Sequence, residues 1–153
     1  MRTIDIPGDG PMTLEHIVLD MNGTLTNRGE LIDGVAERLA ALAGDLAIHV
    51  ATADTFGMAE DLADRLGAEV TRIADGPEKE RLVASLGAER TAAIGNGRND
   101  AAMLRAARLG IAVVGPEGAA GPAVLAADVV CRDICDALDM LLDDRVLRAT
   151  LRA

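Results

Sequence analysis

Aromatic side chains are almost absent from this chain of 153 residues, which has a single phenylalanine, Phe56, and neither tryptophan nor tyrosine. Because hydrophobic residues still make up 50% of the sequence, the core must be built mainly from alanine, valine, isoleucine and leucine. Proteins that bind single-stranded nucleic acid usually stack the bases on aromatic rings. The scarcity of rings argues against that function and favours aliphatic helices packed on a sheet.

Positive charge is scarce as well. The formal net charge is −10 at pH 7, which is the wrong sign for binding a nucleic acid backbone or an anionic membrane surface. The simplest reading of this acidity is a solvated surface. No apolar run approaches the roughly 18 residues of a membrane span, and the N-terminus lacks the pattern of a signal peptide. We therefore expect a cytoplasmic protein that binds neither nucleic acid nor membrane.

Ligands for a soft metal are few. The only cysteines are Cys131 and Cys135, and the only histidines are His16 and His49. A structural zinc site needs about four nitrogen or sulfur ligands, and the histidines lie far from the cysteines in the sequence. The cysteines are therefore predicted to be buried free thiols.

What the chain does contain is a regular alternation of short apolar runs and segments of helical periodicity. The chain begins with a predicted β-hairpin, whose strands at 3–6 and 12–15 flank a Pro-Gly-Asp-Gly turn. Further strands are predicted at 16–20, 46–51, 69–73, 91–94, 111–114 and 128–131. Helices are predicted at 34–43, 58–66, 78–86, 99–107 and 134–142.

Candidate helix boundaries support this division. Asp33 and Asn99 are expected to be N-caps, and Gly44, Gly67 and Gly87 are expected to end helices. A short strand that alternates with a helix five times predicts an α/β domain with a mostly parallel, doubly wound sheet. The expected architecture is a single-domain, Rossmann-like three-layer sandwich with an N-terminal β-hairpin.

Sheets of this kind place their binding sites beyond the carboxyl ends of the strands. Four polar clusters stand out in this chain, most of them just past a predicted strand. The first runs from Asp20 to Thr26 with the sequence D-M-N-G-T-L-T. A carboxylate at a strand end can be held beside a glycine-containing turn whose backbone N–H groups cradle a phosphate. Taken alone, the same string is also compatible with an Asn-Gly hairpin turn.

The second and third clusters supply a hydroxyl and an ammonium group. Thr52 follows a predicted strand and could donate to a phosphate, although it and Asp54 could equally cap the next helix. Lys79 lies at a predicted helix start and is the only lysine in a chain whose other basic residues are all arginine. An ammonium is a compact charge that suits a position between a phosphate and a carboxylate, whereas the alternative is an ordinary surface lysine.

The fourth cluster is the run G-N-G-R-N-D at 95–100, directly after a predicted strand. Asparagine and aspartate oxygens on a glycine-rich loop suit a hard cation such as Mg²⁺. A plain Asn-Gly turn is the alternative.

In this order and at these places, the four clusters resemble the motifs of the haloacid dehalogenase (HAD) superfamily, which are D-x-D-G-T-[LV]-T, a threonine or serine after a strand, a lysine, and G-D-G-x-N-D. The resemblance spans Asp20 to Asp100. The pattern is most similar to the phosphorylation domain of P-type ATPases in its free-standing form, often called "soluble P-type ATPase". It implies a single catalytic core domain over 1–153.

The resemblance also implies a role for each matched residue. Asp20 would attack phosphorus and form an aspartyl-phosphate. Thr52 and the backbone amides of Gly23 and Ala53 would bind the phosphoryl oxygens, and Lys79 would neutralise developing charge.

The implied cofactor is Mg²⁺. Its ligands would be Asp20, the Asn22 backbone carbonyl, the Asn96 side chain and Asp100, in part through water.

This sequence departs from the HAD pattern at Asn22 and Asn96, where the family has aspartate. The amide of Asn22 cannot replace the usual acid/base carboxylate, whose help is typically worth about 10²–10⁴-fold in rate. Sugar phosphates should suffer most and ATP, acyl or aryl phosphates least, and the phosphoenzyme should persist. Asn96 should weaken Mg²⁺ binding. Each asparagine precedes a glycine, so deamidation could restore a carboxylate.

The spacing of the motifs leaves no room for a cap domain, since about thirty residues separate Asp20 from Thr52 and a similar number separate Thr52 from Lys79. The resulting prediction is a Mg²⁺-dependent phosphohydrolase that favours good leaving groups and acts on a phosphorylated small molecule or nucleotide. Two alternatives remain. One is a capless sugar-phosphate phosphatase whose open site is covered in a homo-oligomer, and the other is a non-catalytic domain that binds Mg²⁺ and phosphate.

Overall fold

A six-stranded parallel sheet forms the centre of the computed structural model, which describes residues 1–53, 57–73 and 75–153. In chain order the strands are β1 (Arg2–Ile6), β2 (Gly10–Leu14), β3 (His16–Asp20), β4 (Thr26–Asn27), β5 (Glu30–Leu31), β6 (Ala47–Thr52), β7 (Glu69–Arg72), β8 (Thr91–Gly95), β9 (Leu109–Val113) and β10 (Val129–Cys131). The helices are α1 (Val35–Leu42), α2 (Met58–Leu66), α3 (Gly76–Leu86), α4 (Ala101–Ala106), α5 (Gly121–Ala126), α6 (Ile134–Leu142) and α7 (Asp144–Leu151).

The strand order of the central sheet is β10-β9-β8-β3-β6-β7, so β3 lies between β8 and β6. The chain runs outward from β3 through β6 to β7 and then returns to the other side of β3 at β8. Ligands of doubly wound folds bind at the carboxyl ends of the strands where the order reverses in this way. Asp20 is paired with Ala51 at this edge of the sheet, which places the first two sequence clusters side by side.

Helices cover both faces of the sheet, as the predicted three-layer sandwich requires. Side chains alternate along β3, with Ile17 and Leu19 in one hydrophobic cluster and Val18 in the other. The first cluster includes residues of α1, α2, α6, α7 and the β1–β2 hairpin, and the second includes residues of α3, α4 and α5. The predicted hairpin is confirmed as a separate antiparallel pair, and the α/β fold class is confirmed.

Two predicted helix caps are wrong. The first helix has Gly34, not Asp33, as its N-cap, because a left-handed turn at Gly34 (φ 87°) moves the helix start by one residue. Asn99 lies within a short 3₁₀ turn, Arg98–Asp100, and α4 has Asp100 as its N-cap. The carboxylate of Asp100 accepts hydrogen bonds from the loop before it and so makes no cap bond to α4.

Two of the three predicted helix ends are confirmed. Gly67 and Gly87 are the C-caps of α2 and α3, and α1 has its C-cap at Ala43, one residue before Gly44.

Two helices were not predicted from the sequence. Helix α5 has only six residues, too few for helical periodicity to be recognised. Helix α7 follows α6 almost without a loop and buries Leu147 completely.

Both cysteines are free thiols, as predicted, with Cys131 buried and Cys135 partly buried. Burial raises the pKa of Cys131 to about 11, so its thiol is protonated and unreactive at neutral pH. Within the described ranges, no helix is long and apolar enough to cross a membrane.

A buried histidine lies on β6, near the amino ends of the neighbouring strands. His49 Nε2 is 3.2 Å from Nδ1 of His16, and His49 Nδ1 is 3.3 Å from a Glu69 carboxylate oxygen. Burial lowers the pKa of His49 below its ordinary value of 6.5, although Glu69 acts in the opposite direction. The folded protein therefore binds a proton at His49 less readily than the unfolded chain does.

Consequently, we expect His49 to destabilise the fold as the pH falls below about 6.5, where the unfolded chain takes up the proton first. Urea denaturation at pH 7.5 and pH 5.5 measures this, and wild type should lose more stability between these values than His49→Gln. Glu69→Gln should lose still more than wild type, because it removes the carboxylate that favours the protonated ring. Equal losses in wild type and His49→Gln would contradict the assignment.

Candidate active site

The candidate nucleophile lies at the carboxyl end of the central strand. Asp20 is the last residue of β3, and its side chain is buried. Its Oδ1 accepts a hydrogen bond from Lys79 Nζ at 2.8 Å, and its Oδ2 accepts one from Thr24 Oγ1 at 3.0 Å. Both oxygens are therefore held in fixed positions.

Lys79 is buried, with 3% of its surface exposed, and it bridges two carboxylates. Helix α3 carries it in its first turns, after the N-cap Asp75, whose side chain accepts from the N–H of Glu78. Lys79 Nζ lies 2.8 Å from Asp20 Oδ1 and 2.7 Å from Asp100 Oδ1. Lys79 is therefore not a surface lysine, and its role beside a nucleophile stays a prediction.

Asp100 is completely buried. Its Oδ2 accepts from the backbone N–H groups of Asn96 (3.0 Å) and Gly97 (2.8 Å), and its Oδ1 accepts from Lys79. The close approach of the carboxylate also requires a glycine at position 95, where a Cβ atom would lie 2.6 Å from the Asp100 carboxyl carbon. Asp100 therefore braces both Lys79 and the loop that follows β8.

The electrostatic interactions among Asp20, Lys79 and Asp100 favour an ammonium shared by two acids. Burial raises the pKa of Asp20 to about 6 and the charge of Asp100 adds to this, while Lys79 opposes it. Burial alone would lower the pKa of Lys79, but Asp20 and Asp100 outweigh it and raise that pKa above 10.5. Lys79 is thus protonated, and three buried groups share two negative charges and one positive charge at neutral pH.

A cleft of 210 Å³ opens above this group. Six of the eight residues predicted for the site line it, namely Asp20, Asn22, Thr52, Ala53, Lys79 and Asn96. The other two, Asp100 and Gly23, are buried and do not line it. Asp54, predicted as part of the second cluster, lies outside the described residues.

The Gly23 backbone does not present its N–H as the predicted phosphate donor in this structure. That N–H donates instead to the Thr26 carbonyl oxygen at 3.1 Å, within the turn that follows Asp20. Phosphate binding by this amide remains a prediction.

Asn96 is held through its side-chain amide. Its Nδ2 donates to the Gly118 carbonyl oxygen at 3.0 Å, and its Oδ1 lies 3.3 Å from Thr24 Oγ1, whose one hydroxyl proton is shared with the closer Asp20 Oδ2. The position predicted to hold a cation thus also fastens the loop between β9 and α5. Among the residues that the structure describes, no group of three or more His, Cys, Asp or Glu side chains could hold a metal ion.

Sequence reasoning missed Glu117 as a site residue. It lies in the loop after β9 and lines the cleft together with Ile73, Gly97 and Asn99. No motif surrounds it. The only available signal was its place a few residues beyond the carboxyl end of a predicted strand.

No family model matches the chain. An uncharacterized protein of Methanocaldococcus jannaschii is 53% identical over 60 residues, which is 39% of this chain and 64% of that protein. The match thus spans less than two thirds of the relative's length.

Solved structures match over more of the chain. The 3-deoxy-D-manno-octulosonate 8-phosphate phosphatase of Moraxella catarrhalis, in complex with magnesium, phosphate and KDO, has a TM-score of 0.69 and 20% identity, covering 84% of this chain and 86% of that one. A Legionella pneumophila protein assigned to subfamily III A of the HAD superfamily hydrolases has a TM-score of 0.63 and 17% identity, covering 90% and 88%. The fold is that of the HAD hydrolases.

The same fold forms one part of a much larger protein. A zinc-transporting PIB-type ATPase in its E2.Pi state has a TM-score of 0.66 and 27% identity, covering 79% of this chain and 20% of that one.

The HAD fold is present here in its capless form. Between Asp20 and Thr52 the chain contains only the two-residue strands β4 and β5, helix α1 and strand β6. Between Thr52 and Lys79, the described residues form α2, β7 and the start of α3. Strands β4 and β5 form a small antiparallel pair between Asp20 and helix α1.

Replacing Lys79 by methionine tests the shared ammonium. The variant leaves two buried carboxylates without a counter-charge, and breaking a buried ion pair in this way typically costs about 3–5 kcal/mol. In the metal-free protein we expect a loss of that size at pH 8. The loss should be smaller at pH 5.5, because a carboxyl with a raised pKa takes up a proton in the folded state as the pH falls. Urea denaturation at the two pH values measures both effects.

The matched control is the double variant Asp20→Asn/Lys79→Met, which removes one of the two competing charges. It should be more stable than Lys79→Met at pH 8. If Lys79→Met were as stable as wild type at both pH values, the ammonium would not be holding the carboxylates together.

Proposed function

We propose that this chain is a Mg²⁺-dependent phosphohydrolase that acts through an aspartyl-phosphate on Asp20. The observation that carries the proposal is the buried Lys79 ammonium between Asp20 and Asp100, at the carboxyl end of the central strand of an HAD fold. A carboxylate with this neighbour is positioned, partly charge-neutralised and open to a cleft, as a nucleophile toward phosphorus must be.

The oxygen donors around Asp20 fit Mg²⁺. This cation is usually held by one or two carboxylates and keeps several waters, and it prefers oxygen ligands. Asp20 and Asp100 supply the two carboxylates, with the Asn96 side chain and the Asn22 backbone carbonyl as neutral donors. When bound, the cation would neutralise negative charge on the phosphoryl group. Among the structural neighbours, a Haemophilus influenzae phosphatase was solved in a cobalt-bound form.

Different residues of the site have different roles in the first step. A carboxylate oxygen of Asp20 forms a bond to phosphorus while the bond to the leaving oxygen breaks with its electron pair. Lys79 stabilises the charge that develops. Thr52, at the end of the strand beside β3, would bind a phosphoryl oxygen, with the Ala53 and Gly23 backbone amides as the further predicted donors.

Asn22 sets the preferred substrates. It is exposed and lines the cleft at the position from which a carboxylic acid would protonate a leaving alkoxide. Because an amide offers no such proton, we propose that ATP, acyl phosphates and aryl phosphates react faster than sugar phosphates.

A sugar phosphate remains the second candidate substrate, since several structural neighbours are phosphatases of a sugar-acid phosphate. In that case the open cleft would be covered by a second subunit of a homo-oligomer.

A substrate panel tests the proposal. Wild-type protein with Mg²⁺ should hydrolyse p-nitrophenyl phosphate and acetyl phosphate at least tenfold faster than hexose phosphates. Asp20→Asn, which is nearly isosteric, should abolish hydrolysis of all of them. Asn22→Asp should raise the rate with hexose phosphates by about 10²-fold or more, because it supplies the missing acid.

Thermal denaturation in Mg²⁺ and phosphate checks that each variant is folded. A wild-type protein that is stabilised by Mg²⁺ and phosphate but hydrolyses none of the substrates would instead be a non-catalytic binding domain. Hexose phosphates as the best substrates would favour the sugar-phosphate phosphatase.

A further inference from the structure

A carboxylate from outside the four motifs lies over the turn that follows Asp20. Glu117 is exposed and lines the same cleft as Asp20 and Asn22. A Cβ atom on Gly23, the residue after Asn22, would lie 2.9 Å from Glu117 Cδ. The carboxyl group therefore covers the backbone immediately next to the position where the usual acid/base residue is missing.

The loop that carries Glu117 is fixed at both of its ends. On one side, Gly115 N–H donates to the Arg132 carbonyl oxygen at 2.9 Å, and Gly118 N–H donates to the Gly115 carbonyl oxygen at 3.3 Å. Gly115 itself approaches the motif-one turn, because a Cβ on it would lie 3.2 Å from the Gly23 carbonyl oxygen. Glu117 thus lies within a hydrogen-bonded turn at 115–118 that contacts the turn after Asp20.

On the other side, Asn96 clamps the loop with two hydrogen bonds. Its side-chain Nδ2 donates to the Gly118 carbonyl oxygen at 3.0 Å, and its backbone carbonyl oxygen accepts from Ala120 N–H at 2.8 Å. An aspartate at position 96 has no N–H for Gly118 and would bring a carboxylate against that carbonyl oxygen. The amide at 96 is therefore the group that permits this loop position.

From this arrangement we infer that Glu117 is a catalytic residue, the general base for hydrolysis of the aspartyl-phosphate. The inference rests on the proposed function. It also links the two departures from the HAD pattern, since Asn22 lacks the carboxylate, Glu117 supplies one from another loop, and Asn96 holds that loop in place.

A water oxygen attacks phosphorus, and the bond from phosphorus to Asp20 breaks with its electron pair returning to the Asp20 carboxylate. One proton of the water passes to a carboxylate oxygen of Glu117. The products are inorganic phosphate and free Asp20, and the exposed Glu117 then releases its proton to solvent.

Glu117 serves the second step rather than the first. As a general base it takes a proton from water, whereas the leaving alkoxide of the first step needs a group that donates one. The preference for good leaving groups therefore remains, whereas the phosphoenzyme is released instead of persisting.

Rapid mixing with p-nitrophenyl phosphate in saturating Mg²⁺ separates the two steps. Glu117→Gln should release a first equivalent of p-nitrophenolate at the wild-type rate and then turn over about 10²-fold more slowly, the lower end of the typical value of a general base. Acid-quenched Glu117→Gln should carry close to one phosphate per chain. The charge control is Glu89→Gln, which should behave as wild type. Glu89 lies just before β8, at the amino end of that strand and so at the end opposite the candidate site.

Two further variants give independent readouts. Asn22→Asp in the Glu117→Gln background should restore turnover, because it returns a base to the usual position. Asn96→Asp in saturating Mg²⁺ should slow the second step more than the first, because the Glu117 loop loses its hydrogen bond from the Asn96 amide. Peptide mass spectrometry that shows intact Asn22 and Asn96 excludes deamidation as the source of a base.

The outcomes separate this inference from the proposed function. If wild type and Glu117→Gln both form a phosphoenzyme and release it at equal rates, Glu117 is not the base. A weaker Mg²⁺ affinity with no change at saturating Mg²⁺ would make Glu117 a metal ligand and overturn the inference. If neither protein forms a phosphoenzyme, the proposed function itself fails.

Discussion

The ammonium group of Lys79, buried between Asp20 and Asp100, is the interaction on which the site depends. Three ionised groups in a low-dielectric interior are costly unless each is paired and hydrogen-bonded. Here the pairing is complete, because Lys79 contacts both acids and the remaining carboxylate oxygens accept from Thr24 and from two backbone N–H groups. The group retains one net negative charge, which favours a cation at the mouth of the cleft.

Three separate elements must meet for that pairing to exist. Strand β3 delivers Asp20, the beginning of α3 delivers Lys79, and the 3₁₀ turn after β8 delivers Asp100. The parallel order of the sheet brings them together, since β3 and β8 are neighbours whose carboxyl ends share an edge. The fold and the chemistry are thus linked through one ion pair network rather than through a preformed deep cavity.

Much of this could be predicted from the sequence because the relevant signals are local. A strand with apolar residues followed by Asp20 and a turn marks a strand end, and the single lysine of the chain stands out by composition. Glu117 carries no such signal. Its importance arises from hydrogen bonds between its loop and Asn96, a residue 21 positions earlier, and from contact with Gly23, and no periodicity or motif encodes these. Helix α5 and the cap at Gly34 were missed for a similar reason, since a six-residue helix and a left-handed turn leave little pattern.

The loop after β9 offers a second explanation for the two asparagines, Asn22 and Asn96. From the sequence alone, Asn22 and Asn96 suggested a weakened enzyme, because each replaces a carboxylate of the HAD pattern. In the structure, the Asn96 amide donates to the Gly118 carbonyl oxygen, and the loop that it holds brings a carboxylate to the neighbourhood of Asn22. The proposed role of Glu117 accounts for both asparagines together, because Asn96 holds the loop that would supply the carboxylate that Asn22 lacks.

The central claim is that Asp20 becomes phosphorylated, and reductive trapping tests it most directly. Protein mixed with Mg²⁺ and acetyl phosphate is reduced with borohydride, which converts an aspartyl-phosphate into homoserine, and its peptides are then sequenced by mass spectrometry. The account predicts homoserine at position 20, at higher yield in Glu117→Gln than in wild type. Aspartate recovered intact at position 20 in both proteins, while phosphate is still being released, would contradict it.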